Sequence, residues 1–386
     1  MRVTSRSSPA ADSERPLRVA VLGARTVVQG LGPWVARSFR DAGCEVVGLL
    51  GTRHESVAAA RDDLRRRFGI EARGYTRLAE LLASERPEIV ALCTPWASHR
   101  ALLAELAAAD VHVLCEKPLF WDPACTRRPR QALIDETAAL ISGFVTGGRL
   151  LALNAQWPFV LDAYRALLPE ACAAPLTRVA LRLAPVSVGG EQVVDAAPHL
   201  LSVLSALLGR GGIADIVATP RPPDGWALSF RYAPHPTGPH ETGPHAAGPH
   251  ATGPASAAAG SARAGRTPAD STQSARPPAP VQVELLLSRC AQQPRPAALA
   301  LNGVWASREV TLPEYRMELV GGHPPQPGAR RVPLPDPLAL LVADFVAGVR
   351  AGRQTDSHDL VESQGHLRDL VAAAEAAGAT RSPESA

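Results

Sequence analysis

Lysine is all but missing from this chain: its 40 basic residues are 39 arginines and one lysine, Lys117. A surface built on arginine has little need of one ammonium. Chemistry has, because an ammonium shifts its pKa when desolvated and exchanges protons, whereas a guanidinium stays charged. The other scarcities exclude whole classes of function. The six cysteines (44, 93, 115, 125, 172 and 290) form no CxxC pair, which argues against a structural zinc or disulfide scaffold and for a reducing cytoplasm. No apolar run approaches the roughly 18 residues that a membrane helix needs, and the first 16 residues lack an apolar export signal. With a net charge of +3 and aromatics at 4%, no basic stripe with interleaved rings forms, so neither nucleic acid nor membrane is an expected partner.

What is present is a pattern of short apolar runs alternating with helical ones. The run Val111–Trp121, VHVLCEKPLFW, reads as a buried strand that stops at Glu116-Lys117-Pro118, since proline cannot donate to a ladder. The single lysine thus sits at the carboxyl end of a strand, where open α/β sheets bind ligands. Strands are expected at 17–22, 44–50, 88–93 and 150–154, with helices at 33–42, 54–68, 77–83, 99–109 and 131–141. Thr76 and Ser98 are candidate caps for two of these helices. The alternation predicts a parallel, doubly wound sheet. Beyond it, segments near 177–187, 213–219, 225–233, 281–289, 296–305 and 315–320 read as strands of a largely antiparallel sheet. Four pentads, PHPTG, PHETG, PHAAG and PHATG, then Ala/Ser/Pro/Gly-rich text, separate two of these strands and are expected to be a disordered loop. Helices near 336–351 and 357–378 close the chain.

Three constellations carry chemistry. The loop after the first strand, GARTVVQGLG, has Gly23 for a tight turn and Gly32 for helix packing, nine residues apart where the dinucleotide fingerprint has five. Arg25, Gly30 and Gly32 are candidate phosphate contacts there. After the second strand stand Thr52 and Arg53 rather than an acidic residue, a pair that suits a 2′-phosphate and so favours NADP(H) over NAD(H). Third, Asp195-Ala-Ala-Pro-His199 leads into an apolar helix, and its spacing of four puts carboxylate and imidazole near one helix face. A histidine there can move a proton while the aspartate orients its ring; the plainer alternative is a helix cap followed by a core histidine. The repeat histidines (235, 240, 245 and 250) lie on a backbone that fixes no geometry, so no metal is expected. His99 and His112 read as structural.

Taken together, these residues resemble the glucose–fructose oxidoreductase / inositol dehydrogenase (Gfo/Idh/MocA) family over nearly the whole chain. RVAVLG is similar to its first strand, EIVALCTPWASH to its strand–Thr-Pro–helix segment, HVLCEKPL to its signature strand, and GGEQVVDAAPH to its second-domain helix start. DPLALLVADFVAGVRAG is similar to its penultimate helix. The chain departs from the family in the longer glycine loop, in Trp96 after Thr94-Pro95, and in Asn154-Ala-Gln156-Trp157-Pro158 in place of an arginine-bearing segment.

The resemblance implies a Rossmann domain, here over 17–154, and a substrate and oligomerisation α/β domain, here over 155–334, while composition makes 1–16 a disordered tail and 234–280 a disordered insertion. Closing helices occupy 335–386. It implies hydride transfer between a nicotinamide and a sugar, cyclitol or related polar hydroxyl or carbonyl compound, in a homo-oligomer (dimer or tetramer) paired through the open sheet. On the matching positions Lys117 would polarise the substrate oxygen, His199 would act as general acid/base, and Asp195 would orient the site. Thr94, Pro95, Trp96 and Glu116 would join Gly23, Arg25, Gly30, Gly32, Thr52 and Arg53 around the cofactor, with Asn154, Gln156 and Trp157 lining the substrate pocket. Two other functions are carried forward: a non-catalytic dinucleotide or sugar sensor, and an imine or keto reductase with an aromatic entrance formed by Trp96, Trp121 and Trp157.

Overall fold

The computed structural model describes residues 15–25, 30–236, 279–312 and 315–379. Apolar runs of four or five residues build the centre of the first sheet, because strands buried on both faces need no alternation. It comprises β1 (Arg18–Leu22), β2 (Glu45–Leu50), β3 (Arg73–Tyr75), β4 (Ile89–Leu92), β5 (His112–Cys115) and β6 (Leu151–Leu153). The order is β3-β2-β1-β4-β5-β6, with every neighbouring pair parallel. The crossover helices are α1 (Gly32–Asp41), α2 (His54–Phe68), α3 (Leu78–Glu85), α4 (His99–Ala108) and α5 (Arg130–Thr146). Strand order reverses between β1 and β4, which opens a crevice at their carboxyl ends, the place where such sheets take ligands.

Past two short helices, α6 (Leu161–Leu167) and α7 (Pro169–Ala173), the chain enters a second sheet. Its strands are β7 (Arg178–Leu183), β8 (Gly211–Arg221), β9 (Gly225–Pro234), β10 (Val281–Ser288), β11 (Ala297–Leu301), β12 (Val304–Thr311), β13 (Arg316–Gly321) and β14 (Arg331–Leu334). They run in the order β14-β13-β12-β11-β7-β10-β9-β8, antiparallel except for β7 beside β10. Helices α8 (Glu191–Leu208) and α10 (Ser357–Ala379) pack on each other and on this sheet, and α10 also reaches α5. One buried apolar cluster therefore runs from Leu22 and Cys115 through Trp157 and Leu200 to Leu299, across both sheets. Helix α9 (Pro337–Arg350) turns back to the first sheet, where Phe345 meets Phe39 of α1 edge-to-face at 6.3 Å.

Several expectations are corrected. Segment 296–305 is not one strand but a hairpin, β11–β12, turned by Asn302 (φ 50°) and Gly303 (φ 82°). β3 and β14, only three and four residues long, have too little periodicity to be read. Thr76 does not cap α3, whose N-cap position is Arg77. Ser98 makes no cap bond to α4 either; its hydroxyl lies 2.7 Å from Thr94 Oγ1 and 2.8 Å from the Pro95 carbonyl instead. Arg15, placed in the tail, pairs with Glu88 at 2.8 Å. The insertion opens later than expected, because β9 continues through Pro234. The rest of the tail, the repeat beyond residue 236 and loop positions 26–29 lie outside the described residues. All six cysteines are free thiols, and among the described residues no helix is long and apolar enough to cross a membrane.

Candidate active site

The site grows from four strand ends. β1 ends at Gly23, whose φ of +88° no residue with a Cβ adopts cheaply, and a Cβ there would stand 2.6 Å from the Cys93 carbonyl at the end of β4. At the start of α1, a Cβ on Gly32 would meet the Gly23 carbonyl at 2.3 Å, so the helix start approaches the end of β1 closely. Arg25 is exposed nearby. β2 delivers Thr52 and Arg53 to the rim, both exposed; the Arg53 carbonyl accepts from Val57 N at 3.0 Å and leaves the guanidinium toward solvent.

β4 and β5 deliver the Thr94-Pro95 and Glu116-Lys117-Pro118 turns, and His99 joins them. Its ring is fully buried; Nε2 lies 2.8 Å from the Thr94 carbonyl, and Nδ1 lies 3.0 and 3.2 Å from those of Pro118 and Leu119. A neutral ring donates through one nitrogen only, and leucine in its place removes that bond from a fully buried position, so His99→Leu is expected to lower stability by about 2–4 kcal/mol in urea unfolding. A loss below about 0.5 kcal/mol would mean that water serves the carbonyls as well. His112 is structural too: its Nδ1 accepts from Leu150 N at 2.9 Å, tying β5 to the start of β6.

Lys117 crosses from the first sheet to the second domain. Its Nζ donates to the Asp195 carbonyl at 2.9 Å and also to the Asp195 carboxylate, with only 13% and 15% of the two side chains exposed. Asp195 is not a helix cap. α8 already begins at Glu191, so Asp195 and His199 stack one turn apart inside the helix, around Pro198. The carboxylate is engaged by the lysine rather than by the imidazole, whose buried Nδ1 has no hydrogen-bond partner among the described residues. Asp195 therefore orients Lys117 more directly than it orients His199.

The electrostatics follow from this packing. Burial pushes the Asp195 carboxyl up, but the Lys117 ammonium outweighs it and holds the group below the usual carboxylate range. Burial, helped by the Lys117 charge, pulls His199 down to about 3, so its imidazole is neutral at physiological pH. Glu116 moves the other way: burial raises it to about 7 against the pull of Lys117 and a hydrogen bond from Asn154 Nδ2. Gln156 Nε2 donates to Asn154 Oδ1 at 3.3 Å, and Trp157 packs beneath, 4% exposed. Lys117, Asp195, His199, Glu116, Asn154 and Gln156 thus form one connected or electrostatically coupled group. Trp121 is also buried in the core (6% exposed), so Trp96 is the one half-exposed ring of the supposed aromatic entrance.

Sequence reasoning passed over Arg308 on β12. Its guanidinium stands 5.7 Å over the Trp157 ring, and its charge acts on His199. In a chain with 39 arginines nothing local marks it, although Ala306, Arg308 and Val310 alternate onto one strand face.

Residues 17–144 match the family model described as an oxidoreductase family with NAD-binding Rossmann fold. Over these residues the chain is similar to the Gfo/Idh/MocA oxidoreductase family. No curated protein sequence matches the chain. Solved structures extend the likeness from these residues to the full fold. UDP-N-acetylglucosamine 3-dehydrogenase GnnA from Acidithiobacillus ferrooxidans superposes with TM-score 0.58 at 18% identity, covering 94% of this chain and 99% of its own. KijD10, a 3-ketoreductase from Actinomadura kijaniata in complex with TDP-benzene and NADP, gives 0.57 at 17% identity, over 92% and 96%. An oxidoreductase from Agrobacterium radiobacter in complex with NAD+, L-tartaric acid and magnesium gives 0.57 at 14%, over 95% and 97%.

Proposed function

We propose that this protein is an NAD(P)-dependent oxidoreductase that moves hydride between a nicotinamide and a carbon bearing hydroxyl or carbonyl in a sugar, cyclitol or nucleotide-linked sugar. The observation that carries the reading is the Lys117–Asp195 pair, which sets the only lysine of the chain at the carboxyl end of β5 beside a neutral His199. The bound cofactor supplies hydride donation and acceptance at its nicotinamide. Gly23 and Gly32 provide its turn and helix approach, and Thr52 and Arg53 its adenosine end, where a hydroxyl and a guanidinium favour NADP(H). The residues of the chain handle the proton and the charge. Lys117 places a positive charge on the substrate oxygen, which stabilises the alkoxide that develops during oxidation. His199, being neutral, accepts the hydroxyl proton through a ring nitrogen, and the return path runs through the same two groups. Asp195 holds the ammonium in place. The comparison proteins support the substrate class, since GnnA is named for a nucleotide sugar and KijD10 is a 3-ketoreductase in complex with TDP-benzene. The reading includes a homo-oligomer paired through the open face of the eight-stranded sheet.

Fluorescence titration with NADPH and, separately, NADH tests the cofactor half. Tighter NADPH binding is expected, and Arg53→Ala should lose about 1–3 kcal/mol of NADPH affinity with little change for NADH. An equal loss for both cofactors would reject Arg53 as the 2′-phosphate contact. No binding of either would move the protein to the sensor class or out of dinucleotide chemistry altogether.

A further inference from the structure

Arg308 is a half-buried charge that the hydride-transfer scheme leaves unanswered. It lies on the face of β12 that Ala306 and Val310 share, paired in register with Ala297 of β11 and Leu319 of β13. One edge of its guanidinium is used: Nη2 donates to the Arg295 carbonyl at 3.4 Å. Its Nε is buried and has no hydrogen-bond partner among the described residues. The plane stands over Trp157, 5.7 Å from guanidinium carbon to ring centroid, an aromatic contact that steadies a cation without neutralising it. Among the described residues, no carboxylate lies within ion-pair distance of Arg308 or Arg295.

A guanidinium sheltered from water costs several kcal/mol unless an anion meets it. Burial accordingly draws the Arg308 pKa below its ordinary value. Among its neighbours Tyr315 acts in favour of the charge and Arg295 against it. Arg295 acts electrostatically on Asp195, Arg308 on His199, and Lys117 on both. Three cations thus act on one neighbourhood with Asp195, which Lys117 already engages, and with Glu116, whose carboxyl is only partly ionised near pH 7. An oxidised nicotinamide brings one more positive charge. Such a site favours a ligand that arrives with negative charge, and a guanidinium with a free Nε presents the fork that a planar or tetrahedral oxyanion takes up through two parallel hydrogen bonds.

We propose that Arg308, backed by Trp157 and assisted by Arg295, binds an oxyanion of the substrate, a carboxylate or a phosphate, carried close to the reacting carbon. The proposal rests on the oxidoreductase reading and narrows it: neutral free sugars and cyclitols are poor substrates, and their acidic or phosphorylated counterparts are good ones. Arg308 is here a binding residue, so its loss raises KM far more than it lowers kcat.

Isothermal titration of the protein with inorganic phosphate and with malonate, each with and without saturating NADPH, tests this. At least one anion is expected to bind to the NADPH complex, and the preferred one identifies the chemistry of the substrate anion. Arg308→Met should weaken that binding by about tenfold or more, as loss of a bidentate charge-assisted contact does. Arg308→Lys should keep part of it, because the charge remains and the fork does not. Arg165→Met, which removes an exposed guanidinium from α6, should leave it unchanged. Should circular dichroism show the methionine variant unfolded, Arg308→Lys and Arg295→Gln carry the test. Absence of binding by either anion overturns the proposal, as does binding indifferent to all Arg308 and Arg295 variants. Displacement of the anion by NADPH also overturns it, since Arg308 would then hold a cofactor phosphate. A protein that binds phosphate through Arg308 but takes up no dinucleotide keeps the anion site and loses the oxidoreductase reading, so the two failures are told apart.

Discussion

Lys117→Met abolishes turnover and leaves NADPH affinity within a few fold: that is the expected result with the largest effect. The Nζ that makes two hydrogen bonds to Asp195 is the one ammonium placed to meet a developing oxyanion, and no neighbouring lysine can replace it. Removing a single preorganised donor of this kind costs about a hundred- to a thousandfold in kcat, and here the donor also carries the charge. The substitution also strands the Asp195 carboxylate in a sheltered site, and breaking a buried pair in this way costs about 3–5 kcal/mol of stability. Lys117→Met combined with Asp195→Asn removes both charges, so the double variant should recover most of the stability and none of the activity. Turnover by a folded single or double variant within tenfold of the parent would sink the mechanism. A double variant no more stable than the single one would show that the ion pair is not what holds this corner.

The second large effect is loss of stability in mild acid. His366 is buried and His199 is half-buried with its Nδ1 shut off from water, and desolvation lowers them to about 4 and about 3. An unfolded chain holds histidine near 6.5. Between these values the unfolded state binds more protons than the folded one, so stability falls as pH drops below about 6.5. Glu116 opposes this: raised to about 7, it binds a proton more readily in the folded state, and its contribution is present in acid and lost as pH rises through 7. At about 1.4 kcal/mol per unit, the two histidines lose on the order of 6 kcal/mol by pH 4, and Glu116 returns roughly half. Thermal midpoints measured from pH 7.5 to 4.5 should therefore drop steeply. In His366→Gln the slope should flatten while the neutral-pH site stays intact; an unchanged slope would show that His366 is already protonated in the folded state.

The parts of this structure that the sequence made legible are those where one physical requirement dominates a stretch of residues. β1, β4 and β5 must be apolar on both faces, and each reads directly as a run of aliphatic residues ending at Gly23, Cys93 or Glu116. The Lys117 corner was visible because a residue type used once stands where a proline ends a strand. Other features depend on partners distant in the chain. Nothing in the DAAPH stretch says that α8 starts four residues earlier, at Glu191, or that its aspartate answers a lysine 78 residues back. Ser98 has the composition of a cap, but Thr94 lies closer to its hydroxyl than the helix amides do. The β11–β12 hairpin was within reach, since Asn302-Gly303 is the strongest short-range signal for such a turn. Arg308 was not, because its meaning comes from Trp157 and from the carboxylate that it lacks.

The pairing of β9 with β10 has a practical consequence. Tyr232 is in register with Val281 and Arg231 with Gln282, so the backbone departs and returns on adjacent rungs of one ladder. The length of chain between those rungs is then a nearly free variable, because closing a longer loop costs only a few tenths of a kcal/mol for each modest extension. For protein engineering this makes the connection between β9 and β10 a place for insertions. A folded cargo whose own termini lie a strand spacing apart could be spliced in there, remote in sequence from both the Lys117 and Arg308 corners, with the register on either side already fixed.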